Sequence, residues 1–228
     1  MEFFELLELC NDDPIRSHPP KGGTLKSTYY DGYLPWFESY RRGDSSLDKN
    51  LKGMIENGLS EEEAFFILAY TSSYSGWINT ALKDGRKLDT ECKKQFANAL
   101  DNALEKIKSG PETVYRMDWP PGDPEDVLTW FESKIGSSFV IPYFLSTAKE
   151  DYENSEVVWQ ITTLKSGSCA RDISNLCQAP SEQEVLFKRA SKFKIIKVDR
   201  SKRVVFLDEI PTDAAVDFPL IQVYHKNF

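Results

Sequence analysis

Histidine is nearly missing from this chain of 228 residues: His18 and His225 are the only two, one near each end. Cysteine is sparse too, with four residues (Cys10, Cys92, Cys169 and Cys177) and no Cys-x-x-Cys pair. A zinc site needs clustered ligands at short spacing, so no metal is expected. Ser-His and Cys-His nucleophile pairs are disfavoured for the same reason. Catalysis in such a chain would have to run on carboxylates. The plain expectation for the cysteines is four free thiols, with a Cys169–Cys177 link as the alternative.

Long apolar runs are missing as well. A membrane-spanning helix needs about 20 apolar residues, and no stretch approaches that. The N-terminal "MEFFELLELC" carries three acidic residues among its apolar ones. A secretory signal begins basic and has a longer apolar centre, so none is read and a soluble chain is expected. Positive charge is in deficit: the net charge is −8 and the pI about 5.0. Binding a phosphate backbone requires a basic surface, so neither nucleic acid nor an anionic membrane is an expected partner. Neither of the usual phosphate-binding loops is present, G-x-G-x-x-G or the P-loop. Phosphate recognition would therefore fall to a discrete cation.

What is present suffices for a real core, with 40% hydrophobic and 13% aromatic residues. The length fits one ordinary domain, or a domain with an N-terminal extension, and a monomer is expected. Residues 2–10 read as a short amphipathic helix, followed by the turn-rich "NDDPIRSHPPKGG". The aromatic-rich residues 28–43 would dock onto a core. From residue 51 the period is helical. Ser60 with Glu63 three residues later is a capping-box pattern, and Ala64, Ile67 and Leu68 follow at helical spacing. Gly76 marks a break before a second segment through Trp77, Ile78, Ala81 and Leu82. Residues 90–109 place Phe96, Leu100, Leu104 and Ile107 on one face.

Beyond residue 110 the period changes to short β-branched and aromatic runs: "ETVYRMDW", "SSFVIPYFLST", "VVWQITTLK", "EQEVLF", "KFKIIKVD", "RVVFLDEI" and "LIQVYHK". Only "PPGDPEDVLTWFES" interrupts them, with a loop and one or two helical turns. Helices first and strands afterwards predict an α+β fold rather than an alternating parallel one.

Three places in the strand-rich part have chemical potential. Arg116 lies inside "TVYRM", where an interior arginine needs a partner for its charge: either a structural carboxylate or a ligand phosphate. Ser146 and Thr147 end an apolar strand, where hydroxyls are commonly simple turn residues. Glu182 and Glu184 stand two apart in "SEQEVLF". On a strand that spacing puts both carboxylates on one face, either a solvated edge or a pair converging on a substrate.

Taken together, a strand arginine, a strand-end serine and a Glu-x-Glu strand, in this order and behind a helical segment, resemble the mono-ADP-ribosyltransferase family. The branch is the one marked by Arg, Ser-Thr-Ser and Glu-x-Glu motifs. The resemblance spans about residues 50–200 and includes "NGLSEEEAFFILAYTSSYSGWINTAL", "VYRMDW", "FLSTAKED" and "ARDIS…SEQEVLF". It implies a helical N-terminal half packed on a two-sheet mixed or antiparallel β-core. Residues 1–50 would be an extension and residues 51–228 the catalytic domain. It also implies NAD as substrate and a target protein as acceptor.

By motif position, Glu184 would stabilise the ribose cation and Glu182 would orient or deprotonate the acceptor. In this family a glutamate at the position of Glu182 goes with arginine acceptors. Arg116 would hold the NAD phosphates, and main-chain groups of Met117 the nicotinamide amide. Ser146 would bond the catalytic glutamate, with Thr147, Tyr152 and Arg171 also on the NAD side. Residues 148–156 take the place of the phosphate–nicotinamide loop. Residues 174–182 take that of the turn-turn loop, so Cys177, Gln178, Ser181 and Glu182 would meet the acceptor. The chain departs from the family pattern at Met117, Ala148 and Cys177, where glycine, serine and serine are usual. The core groups are intact, so an active enzyme is expected, a secreted bacterial effector or a cytosolic or phage enzyme. An NAD glycohydrolase, or an inactive fold used for binding, are the alternatives.

Overall fold

The capping box read from Ser60 and Glu63 forms in full. The Glu63 amide donates to Ser60 Oγ at 3.2 Å and the Ser60 amide donates to the Glu63 carboxylate at 2.9 Å. This start matters because two orphan amides of the helix end are satisfied at once. The computed structural model describes residues 48–71, 75–83, 88, 90–118, 123–151, 156–176 and 180–219. The expected helix over residues 2–10, the aromatic stretch 28–43 and the run "LIQVYHK" lie outside them.

The chain divides into two compact units, one comprising residues 1–107 with 175–180 and the other residues 108–174 with 181–228. In the first, all the elements described are helices: α1 (Asp48–Glu56), α2 (Glu61–Ala69), α3 (Ser75–Lys83) and α4 (Glu91–Glu105). Thr90 caps α4 through the Lys93 amide. Phe96, Leu100 and Leu104 of the predicted face are fully buried, and Phe66 of α2 meets Phe96 edge-on at 5.6 Å. Lys106 closes this helical pair with an ion pair to Glu63 at 2.8 Å. Cys92 on α4 is disulfide-bonded and Cys169 is a free, buried thiol. The expectation of four free thiols is thereby corrected, and so is the Cys169–Cys177 alternative.

The second unit holds β1 (Thr113–Asp118), α5 (Pro124–Glu132), β2 (Ser138–Ile141), β3 (Leu145–Ala148) and β4 (Val157–Thr162). After them come β5 (Ala170–Asp172), β6 (Glu184–Phe187), β7 (Ser191–Asp199), β8 (Val204–Ile210) and β9 (Phe218–Pro219), with a 3-10 turn (Pro180–Glu182) ahead of β6 whose first residue is counted in the first unit. Among the described residues the strands form one sheet of nine, in the order β5-β6-β3-β1-β4-β8-β7-β2-β9. That corrects the expected two-sheet core to one continuous mixed sheet. The β4–β8 ladder in the middle and the β2–β9 pair at one edge are parallel, and the other ladders are antiparallel.

Two strand readings change for local reasons. "SSFVIPYFLST" yields two strands, because Pro142 cannot donate to a ladder. β2 and β3 then lie at distant places in the sheet. "EQEVLF" is strand only from Glu184. Pro180 opens a 3-10 turn, and Gln183 has φ +47°, a left-handed conformation that ends it. The premise that Glu182 and Glu184 share a strand face is therefore wrong. The core of the sheet is a chain of aromatic contacts: Phe187 on Phe193 (5.2 Å), Phe193 on Phe139 (5.7 Å), Phe139 on Trp159 (6.5 Å) and Trp159 on Phe131 of α5 (5.6 Å). Each fully buried Phe ring contributes about 1.5–3 kcal/mol of hydrophobic stabilisation.

Candidate active site

β3 sits between β6 and β1, so its residues can reach both neighbours. Ser146 does. Its hydroxyl donates to Glu184 Oε1 at 2.7 Å, and its carbonyl accepts from Arg116 Nη1 at 2.9 Å. Arginine on β1 and glutamate on β6 are thus joined through one serine. Thr147 anchors the same strand pair, its hydroxyl bonding the Val185 carbonyl at 2.6 Å.

Glu184 opens a strand whose four residues are all buried, and is itself only 6% exposed. Burial pushes its carboxyl up to about 7; the Ser146 hydrogen bond opposes the rise and the negative charge of Glu182 adds to it. Glu182 is exposed on the 3-10 turn, yet near enough to be felt. β6 is held closely from behind: a Cβ placed on Gly110 would stand 2.8 Å from Val185 Cγ1.

Arg116 lies over the Trp159 ring at 5.9 Å from its centroid, and its Nη2 is 3.8 Å from Asp118 Oδ1. Its Nε is buried and has no hydrogen-bond partner among the described residues. With Nη1 bonded to the Ser146 carbonyl and Nη2 facing Asp118, the guanidinium is fixed in orientation, and a planar fork of this kind is suited to a bidentate anion. Tyr143 is buried close by; burial raises its hydroxyl pKa, the Arg116 charge opposes that and the Asp118 charge reinforces it.

Other residues singled out in the sequence fall as follows. Met117 is half-buried on β1, opposite Val158. Arg171 is buried on β5 opposite Leu186, its guanidinium bonding the carbonyls of Ser168 and Ala170. Ser181 is exposed beside Glu182. Tyr152, Cys177 and Gln178 lie outside the described residues.

Several participants escaped the sequence reading. Lys149, just past β3, pairs with Asp172 Oδ2 at 2.9 Å and donates to Ser174 Oγ at 2.8 Å. Burial would raise the Asp172 carboxyl, but bonds from Ser174 and Lys149 hold it below its ordinary value. Glu209 is buried on β8 and accepts from the Leu164 amide, the Ser168 hydroxyl and the Cys169 amide. The period of "VVFLDEI" carried that signal, since Val205, Leu207 and Glu209 alternate inward. No group of three or more His, Cys, Asp or Glu side chains suited to a metal occurs among the described residues.

A family model described as ADP-ribosyltransferase exoenzyme matches residues 45–212. Among solved structures, the ADP-ribosyltransferase HopU1 of Pseudomonas syringae pv. Tomato DC3000 aligns at 20% identity and TM-score 0.62, covering 91% of this chain and 96% of that one. Plx2a, an ADP-ribosyltransferase toxin from Paenibacillus larvae, aligns at 21% identity and TM-score 0.59, with 76% and 96% covered. C3stau2 from S. aureus, solved with NAD, aligns at 17% identity and TM-score 0.57, with 70% and 92% covered. No curated protein sequence matches the chain.

Proposed function

Because the chain belongs to the ADP-ribosyltransferase exoenzyme family, whose substrate is NAD, we propose that it transfers one ADP-ribose from NAD to an arginine side chain of a target protein, releasing nicotinamide. One observation carries the assignment of residues. Ser146 joins Arg116 and Glu184 through its carbonyl and its hydroxyl, so the phosphate-binding cation and the carboxylate form one preorganised unit.

Cleaving NAD breaks the bond between ribose C1′ and the nicotinamide nitrogen. Nicotinamide leaves with the bonding pair as a neutral molecule, and the sugar becomes oxocarbenium-like, as in glycoside hydrolysis. Glu184, ionised, supplies the fixed negative charge that stabilises this cation, and its buried surroundings strengthen the interaction. Arg116 offers its guanidinium to the NAD phosphates, and main-chain groups at Met117 hold the nicotinamide amide. The acceptor guanidine nitrogen attacks C1′ and gives up its proton to Glu182, whose exposed position suits contact with a protein. Ser181, Cys177 and Gln178 complete the acceptor side. Thr147, Tyr152 and Arg171 support the NAD side, Arg171 through the backbone it binds. Catalysis is assigned to residues 51–228, with residues 1–50 as an extension, in a secreted effector acting in another cell.

Two variants test the division of labour. Glu184→Ala is expected to lose nicotinamide release by a factor of about 10³ or more, given the size of single electrostatic contributions to catalysis. Glu182→Ala should keep hydrolysis of NAD and lose labelling of protein. Mass spectrometry of proteins exposed to enzyme and NAD reads the modified residue type. Full transfer in both variants would remove the site assignment, and free ADP-ribose with no modified protein would point to a glycohydrolase instead.

A further inference from the structure

The lysine that follows β3 touches both ends of the segment between β5 and β6. Through its backbone, the Lys149 amide donates to the Gln183 carbonyl at 3.2 Å, next to the left-handed residue that separates Glu182 from Glu184. Through its side chain, Lys149 reaches Asp172 and Ser174, where the chain leaves β5. Asp172 in turn closes a turn on Ser174, accepting from its amide at 3.2 Å and its hydroxyl at 2.7 Å. The Ile173 amide, between them, donates to the Glu184 carbonyl at 3.1 Å. The side chains of Lys149 and Asp172 are 29% and 16% exposed, so the pair is shielded from bulk water more than a surface ion pair.

We infer that Lys149 is a positioning residue for transfer to the acceptor: its side chain pins the departure from β5 while its backbone pins the return at Gln183, and so fixes Glu182 relative to Glu184. This rests on the reading of Glu182 as the acceptor-side carboxylate. Removing the ammonium leaves Ser146, Arg116 and the β3–β6 ladder in place. The loss therefore falls more heavily on the acceptor step than on cleavage of NAD. A merely structural lysine would lower both steps together.

Purified full-length Lys149→Met, Lys149→Arg and Asp172→Asn chains provide the test, with thermal melts to show that each is folded. Nicotinamide release from NAD is compared with labelling of poly-L-arginine and of total lysate protein by biotinylated NAD. Lys149→Met should lower labelling at least tenfold further than release, Asp172→Asn should follow it, and Lys149→Arg should restore most of the ratio. Independently of activity, hydrogen exchange at the Ile173 amide should speed up about tenfold in Lys149→Met. Labelling and release that fall by one common factor, or unchanged exchange at Ile173 in a folded Lys149→Met chain, overturn the inference. Wild-type chain that labels no acceptor sinks the transferase reading, and the exchange measurement then decides alone whether Lys149 holds the segment.

Discussion

Glu184 combines two demands that oppose each other. The proposed chemistry needs its carboxylate ionised, whereas burial favours the protonated form and lifts the pKa to about 7. Activity should therefore rise with pH, with kcat/KM for NAD showing an acid limb near 7. The limb in kcat should lie lower, because the cationic nicotinamide ring of bound NAD favours the carboxylate. Steady-state rates between pH 5 and 9 check both. The same residue costs stability. A rise from the ordinary 4.5 to about 7 is worth about 3 kcal/mol at ~1.4 kcal/mol per pH unit. In that window the native state holds a proton that the unfolded chain has lost, so stability falls as pH climbs from 4.5 through 7. Glu184→Gln should be more stable than wild type at pH 8, by up to about 3 kcal/mol in urea unfolding. At pH 4.5 and below the gain should vanish.

At the scale of elements, the site depends on how loops are tied to strand ends. Glu209 gathers three donors from the loop that feeds β5. Glu209→Ala leaves those buried donors without an acceptor and should cost about 3–5 kcal/mol in urea unfolding. Glu209→Gln, which keeps an oxygen, should cost less. Nothing short of the fold shows that one inward residue of β8 gathers the loop before β5. Much else at this scale was legible. The Ser60–Glu63 cap, the α4 face and the strand containing Arg116 all follow from local spacing. The boundary at Glu184 was not, because a 3-10 turn and one left-handed residue look like strand when residues are counted in twos. The two glutamates separate in environment for that reason: one is exposed on a turn and the other buried on a strand.

For the molecule as a whole, few histidines and scattered cysteines leave carboxylate and arginine chemistry as the means of cleaving NAD. Addition of EDTA should leave nicotinamide release unchanged within about twofold, because the proposed mechanism stabilises the sugar cation with the Glu184 carboxylate and assigns no step to a Lewis acid. The order of the motifs along the chain was enough to identify the family, because each is a short local pattern and the order is fixed by the chain itself. Charge balance, helical and strand segments, and the identities of Arg116, Ser146 and Glu184 were likewise determined by sequence. Their meeting was not. It required β3 to lie between β1 and β6, a placement made by hydrogen bonds between strands far apart in the chain. Burial of Glu184, the orphaned Nε of Arg116 and the grip of Lys149 on Asp172 and Ser174 belong to that level too. They depend on which groups are brought out of water beside one another, and only tertiary packing decides that.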